Sequence, residues 1–191
     1  MKISHINTYQ SFGKQALMTC KIKEKNSQEP KNSTLYKLNP MDEADRKDVF
    51  FSKQTYCIAK DFERQWKKPY FEKEFYVLQN DKTGEVISCA ETMKRCRPPR
   101  FTHHGIYTMI EEANENYKYE NGAEPLFAYI AKNAKKNFDL NIFTTFNKET
   151  IPNLKSYKFS ETRKGEYCIP QRRFSTLIKQ AEKKYEMEYC D

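Results

Sequence analysis

Glycine is scarce in this chain, with five in 191 residues. It is the residue that accepts positive φ or close backbone approach most readily, so each one calls for a reason. Long apolar runs are missing too, and none reaches the roughly 18 residues needed to cross a bilayer. The opening stretch, MKISHINTYQSFGK, lacks the apolar core of a secretory signal. A cytoplasmic location is therefore expected, with no membrane partner. The six cysteines are Cys20, Cys57, Cys89, Cys96, Cys168 and Cys190, and no two stand as Cys-x-x-Cys. In that compartment they read as reduced thiols, buried or incidental. Cys89, Cys96, His103 and His104 are the densest metal-type group. They lack the short ligand spacings of a zinc site, so no metal is expected.

Aromatic residues are plentiful. Hydrophobic residues make up only 38% and charged residues 31%, yet 13 Tyr and 13 Phe supply core-sized side chains. A folded domain with a wet surface fits this better than disorder. The formal net charge of +8 favours anionic partners. The lysines are spread along the chain, as on a solvated face, and no zinc-finger or RNA-binding signature accompanies them. Nucleic acid is therefore not the expected partner.

Patterning divides the chain. QALMTCKIKE (15–24) reads as a strand, and KNSQEPKNST (25–34) as a polar loop. That break predicts an N-terminal extension over 1–33, a main domain over 34–170 and a C-terminal helix over 171–191 packed on it. LYKL (35–38) is a short strand, and MDEADRKDVFF begins with acids, as helices do. Tyr56, Ala59, Phe62 and Trp66 fall at helical spacing and read as a core stripe. EFYVLQNDKTGEVISCAETMKR (74–95) predicts a hairpin, with Gly84 in its turn, and IYTMIEEA (106–113) a third strand. A helix follows over 124–136, then a strand over 140–146 and a short turn or helix near Pro152. A strand pair over 158–162 and 165–169 precedes the last helix, marked by Phe174, Leu177, Ile178, Ala181 and Tyr185. Strands alternating with crossover helices give an α/β or α+β sandwich.

The junction before the central helix carries Asn121, Gly122 and Ala123, three small residues. A helix start has backbone N–H groups without internal partners and a partial positive charge. With small residues beside it, such a start can take a phosphate. The alternative is a glycine needed only to direct the chain.

Element order and two degenerate motifs resemble the GCN5-related N-acetyltransferase (GNAT) superfamily. Members run strand, helix, helix, three-strand meander, then a phosphate loop and helix. Their loop motif, Arg/Gln-x-x-Gly-x-Gly/Ala, often follows Val-x-Pro-x-Tyr. The stretch here is ANENYKYENGA (113–123): Ala113 stands for the valine, Tyr117 matches, Lys118 stands for the arginine, Asn121 for the first glycine, and Ala123 fits. Downstream, Asn147 is followed by Thr150, Leu154, Lys158 and Phe159 at the Asn-x-x-Ala, Tyr and Gly-Phe positions. The resemblance covers roughly residues 34 to 165.

It implies a mixed, mostly antiparallel central sheet flanked by helices, with N- and C-terminal extensions. It also implies acetyl-CoA as acyl donor, with transfer to an amine of a small molecule or protein. The alternative is a catalytically weak module on the same fold that binds a protein or nucleic acid; a homodimer is left open. The backbone of Tyr119, Glu120, Asn121, Gly122, Ala123 and Glu124, with Lys118, would hold the pyrophosphate. Ile110 to Ala113 would pair with the pantetheine arm, and Asn147 would touch the cofactor. Glu111 or Glu112 would act as base, since strand alternation sends only one of them into the cleft. His103 and His104 are second choices. Tyr157 is the candidate acid, one turn on from Leu154, where many members have tyrosine. Asn121 is a mild departure from glycine, because asparagine tolerates left-handed backbone.

Overall fold

The structure is a computed structural model. It describes residues 14–39, 41–50, 58, 60, 62–63, 73–95, 105–112, 119, 121–137, 141–145, 159–163 and 166–190. In chain order the elements are β1 (Gln15–Lys23), β2 (Pro30–Leu38), α1 (Glu43–Phe50), β3 (Lys73–Asn80), β4 (Val86–Arg95) and β5 (Gly105–Glu112). Then come α2 (Glu124–Asn137), β6 (Asn141–Thr145), β7 (Ser160–Arg163), β8 (Glu166–Ile169), α3 (Phe174–Tyr185) and β9 (Glu188–Tyr189).

The described strands form one sheet in the order β7-β8-β6-β5-β4-β3-β2-β1-β9. Neighbours are antiparallel except β5 and β6, which run parallel. A parallel pair needs a crossover, and α2 supplies it. The sheet is thus mixed and mostly antiparallel, as expected, with helices against it.

Local chemistry explains several elements. β1 alternates, burying Met18, Cys20 and Ile22 while Lys21 and Lys23 face solvent. The β3–β4 turn closes through Asn80, whose Oδ1 accepts the N–H groups of Lys82 and Thr83 at 2.9 and 3.2 Å. Gly84 sits in that turn at φ +69, which only glycine adopts freely. Asp42 caps α1, its Oδ1 accepting the N–H of Ala44 at 2.8 Å.

Both faces of the sheet are buried. On one, Leu35, Tyr76, Leu78, Ile87 and Ala90 meet Leu126, Phe127 and Ile130 of α2 and Phe174, Leu177, Ala181 and Tyr185 of α3. Each large apolar side chain buried here contributes about 1.5–3 kcal/mol. On the other, Leu38, Phe75, Val77 and Cys89 pack with Ile58 and Phe62. Both of those are helical, and the Phe62 and Phe75 rings meet edge to face at 4.8 Å. Tyr56, Ala59 and Trp66 of that predicted stripe lie outside the described residues.

One boundary moves. Residues 30–34, expected as loop, belong to β2. Their polar character hid the strand: Ser33 and Thr34 are buried and register opposite Asn80 and Gln79 of β3. Residues 15–33, expected as an extension, supply β1 and the first half of β2 within the common sheet. At the other end, α3 lies against α2, and β9 pairs with β1.

Candidate functional site

The described pairing of β5 with β6 stops short of the end of β5. Gly105 to Thr108 register with Asn141 to Thr144. Beyond that point β5 runs on beside β4 to Glu112, while β6 ends at Thr145. Among the described residues no strand pairs with the β6 side of Met109–Glu112. Ile110, Glu111 and Glu112 occupy this stretch, registered opposite Ala90, Cys89 and Ser88 of β4. Cys89 belongs to the core that holds Ile58 and Phe62, whereas the Ser88 hydroxyl reaches the α2 side.

The loop that opens α2 returns to the same end of the sheet. Tyr119 makes a bridge with Glu24, beyond the end of β1. Its ring is buried, and its hydroxyl donates to Glu85 Oε2 at 2.9 Å and accepts from Asn80 Nδ2 at 3.4 Å. Asn121 is left-handed at φ 51, the conformation that asparagine was expected to tolerate there. The N–H of Glu124 donates to the carbonyl of Asn121 at 3.1 Å, closing the first turn.

Gly122 has a packing role. A Cβ placed on it would stand 2.8 Å from Ile87 Cγ2, with the Ile87 carbonyl oxygen 3.6 Å away. Its φ is not in the left-handed region. The cause is an irregularity in β4: Leu78 registers with Ser88 but Gln79 with Val86, so Ile87 is an extra residue. Such a bulge turns successive side chains toward one face. Ile87 lies under Gly122, and Ser88 Oγ donates to the Gly122 carbonyl at 2.7 Å. Both side chains are buried. Neither residue was foreseen, because a bulge leaves no mark in strand periodicity.

Glu124 stands in the first turn of α2, 8% exposed. Its Oε2 accepts from Tyr185 Oη at 2.6 Å and from Lys184 Nζ at 2.7 Å, both on α3. The Glu124 carboxylate is thus turned into α3 and matched by a cation. Tyr185 was expected only as a core residue of the last helix; helical spacing says nothing of where its hydroxyl goes.

The structure brings Tyr119, Asn121, Gly122, Ala123 and Glu124 to one end of the sheet, the end of β5 that carries Ile110, Glu111 and Glu112. Ala113, Lys118, Glu120, Asn147 and Tyr157 lie outside the described residues, as do His103, His104, Leu154 and Lys158. Phe159 is buried, its ring 4.8 Å from that of Phe127. Of the metal-type group only Cys89 is described, and it is buried in the core. Among the described residues no three His, Cys, Asp or Glu side chains stand together as metal ligands, and no helix is long and apolar enough to cross a membrane.

The sequence matches no protein-family model and no curated protein. Solved structures do match. The chain superposes on a mutant of the toxin AtaT bound to the C-terminus of the antitoxin AtaR, with TM-score 0.56 and 12% identity. That match covers 78% of this chain and 98% of the other. An AtaTR structure bound with AcCoA gives TM-score 0.55 at 12% identity, over 76% and 97% of the two chains. The GNAT domain of S. lividans PAT gives 0.52 at 11%, over 81% and 94%. This chain has the GNAT fold. Its GNAT-fold neighbours also include an AtaT–AtaR complex bound to DNA, at TM-score 0.55 and 15% identity. They therefore lend no support to the expectation that set nucleic acid aside.

Proposed function

We propose that this GNAT-fold protein is an N-acyltransferase that moves an acetyl group from acetyl-CoA to an amine of a small molecule or protein. The observation that carries the reading is the stretch Met109–Glu112 of β5, beyond its described pairing with β6, at the same end of the sheet as the left-handed Asn121 and the start of α2. A strand that runs on past its parallel neighbour offers a backbone edge to an amide-bearing arm, and a helix start offers N–H groups to a phosphate. Similarity to an AcCoA-bound structure supports the donor.

Charge at the helix start is compatible with such a donor, because the Glu124 carboxylate is directed at Lys184 and Tyr185. In the reaction the amine nitrogen attacks the thioester carbon, the C–S bond breaks, and the amine proton leaves to a base. Glu111 or Glu112 is the proposed base and Tyr157 the proposed acid for the departing sulfur. Register separates the two glutamates: Glu111 is opposite Cys89 and Glu112 opposite Ser88. Ile110 to Ala113 would pair with the pantetheine arm. Lys118, Glu120 and Asn147 complete the proposed donor contacts. A cytoplasmic setting and a protein or small-molecule acceptor belong to the same reading.

The second reading is a binding module without turnover, for a protein or a nucleic acid. The packing of Gly122 on Ile87 favours it, since that contact accounts for the glycine with no ligand. Similarity to toxin–antitoxin and DNA-bound assemblies gives it a partner class. Calorimetric titration with acetyl-CoA, with desulfo-CoA and ATP as controls, tests the donor site. CoA-selective micromolar binding followed by thiol release with an amine panel supports the enzyme. Selective binding without thiol release supports the module, and binding that ATP reproduces removes the acetyl-CoA site.

A further inference from the structure

α3 follows β8, yet its end reaches back to the loop that opens α2. Glu124 Oε2 receives Tyr185 Oη at 2.6 Å and Lys184 Nζ at 2.7 Å. The Tyr185 oxygen also stands 3.5 Å from the Asn121 carbonyl, inside the same turn. A phenol has one proton, and the short bond to the carboxylate takes it. Glu124 and Tyr185 are 8% and 3% exposed, so water competes little for this pair. Farther along, Lys132 meets Glu182 at 3.0 Å and Lys135 meets Ser175 at 2.7 Å. These contacts lock α3 antiparallel to α2. The turn Asn121–Glu124 is therefore gripped twice, by Ile87 and Ser88 of β4 and by α3. Charge adds a second role. A carboxylate at a helix start repels an incoming phosphate, and Lys184 offsets it.

We infer that Tyr185 and Lys184 are positioning residues for the loop at the start of α2, so that α3 sets the loop's geometry and its affinity for a phosphate-bearing ligand. Only the affinity half rests on the acyltransferase reading. The test is amide hydrogen exchange on the full chain, residue by residue, for the parent, Tyr185→Phe and Lys184→Gln. Exchange at Gly122, Ala123 and Glu124 is expected to speed by about tenfold or more in Tyr185→Phe, a loss of about 1.4 kcal/mol of local protection. A smaller acceleration is expected in Lys184→Gln. Val77 and Leu78 in β3 keep their parental rates. Unchanged loop rates, or equal acceleration in β3, overturn the assignment.

The second arm is calorimetric affinity for CoA. Tyr185→Phe is expected to weaken it by about threefold or more, roughly 0.7 kcal/mol. Lys184→Arg restores what Lys184→Gln loses. A loosened loop with unchanged CoA affinity overturns the affinity half. A parent chain that does not bind CoA removes the acyltransferase reading and the affinity half with it, while hydrogen exchange still decides the positioning role.

Discussion

Replacing Gly122 by alanine tests the tightest contact at the site. The new Cβ would stand 2.8 Å from Ile87 Cγ2. That methyl cannot swing away cheaply. Isoleucine is stiff at χ1, and Ile87 is 1% exposed within the core. The Ile87 carbonyl oxygen, 3.6 Å from the same point, is in ordinary contact, so the clash is with the methyl alone. Overpacking of this kind costs about 1–3 kcal/mol. Against it stands about 0.4–1 kcal/mol from restricting the unfolded chain, available because φ at Gly122 is compatible with alanine. At the centre of these ranges the net loss is about 1.3 kcal/mol, or about 3–5 °C in melting temperature for a chain of this size. Thermal melts of the parent, Gly122→Ala, Ile87→Leu and the double variant measure it. Leucine moves the branch off Cβ, so the double variant should recover part of the loss, with coupling of about 0.5 kcal/mol or more. A Gly122→Ala protein that melts at or above the parent would refute the packing reason and return the glycine to a ligand-binding role.

Other substitutions read neighbouring features. Ser88→Ala removes the 2.7 Å bond to the Gly122 carbonyl and should cost about 1–3 kcal/mol by denaturant titration, because the acceptor is left buried. Asn121→Gly should be neutral or slightly stabilising and Asn121→Ala should cost about 1 kcal/mol, since φ is 51 there; equal melts for the two would count against the left-handed turn. Glu186 ends α3 at φ 46, so Glu186→Gly should gain about 0.5–1 kcal/mol despite losing its exposed ion pair with Lys21. Burial raises the Cys20 thiol from 9.0 to about 12, with nearby Asp81 adding to the rise. Between those values the unfolded chain has released the proton and the folded chain has not, so stability falls as pH rises through that window. Cys20→Ala should flatten the alkaline limb of a stability–pH profile. Alkylation at pH 8 followed by peptide mapping should label the exposed Cys190 well before Cys20, Cys89 and Cys168.

The sequence by itself determined the elements whose periodicity is strong. The β3–β4 hairpin, β5, the span of α2 and the five buried residues of α3 were all legible, because local spacing fixes which face meets a core. The motif stretch also located the turn at Asn121, since few residue types accept left-handed backbone. Tertiary structure decided the rest. Ser33 and Thr34 became strand because β3 offered partners, which no local pattern reports. Gly122 took its role from the bulge at Ile87 in β4 and a bond from Ser88, 34 residues earlier in sequence. Glu124 took its partners from Tyr185, 61 residues later. Each of these depends on register or on helix packing, which bring together groups far apart along the chain. Periodicity reports faces; only the folded chain reports which neighbours stand on them.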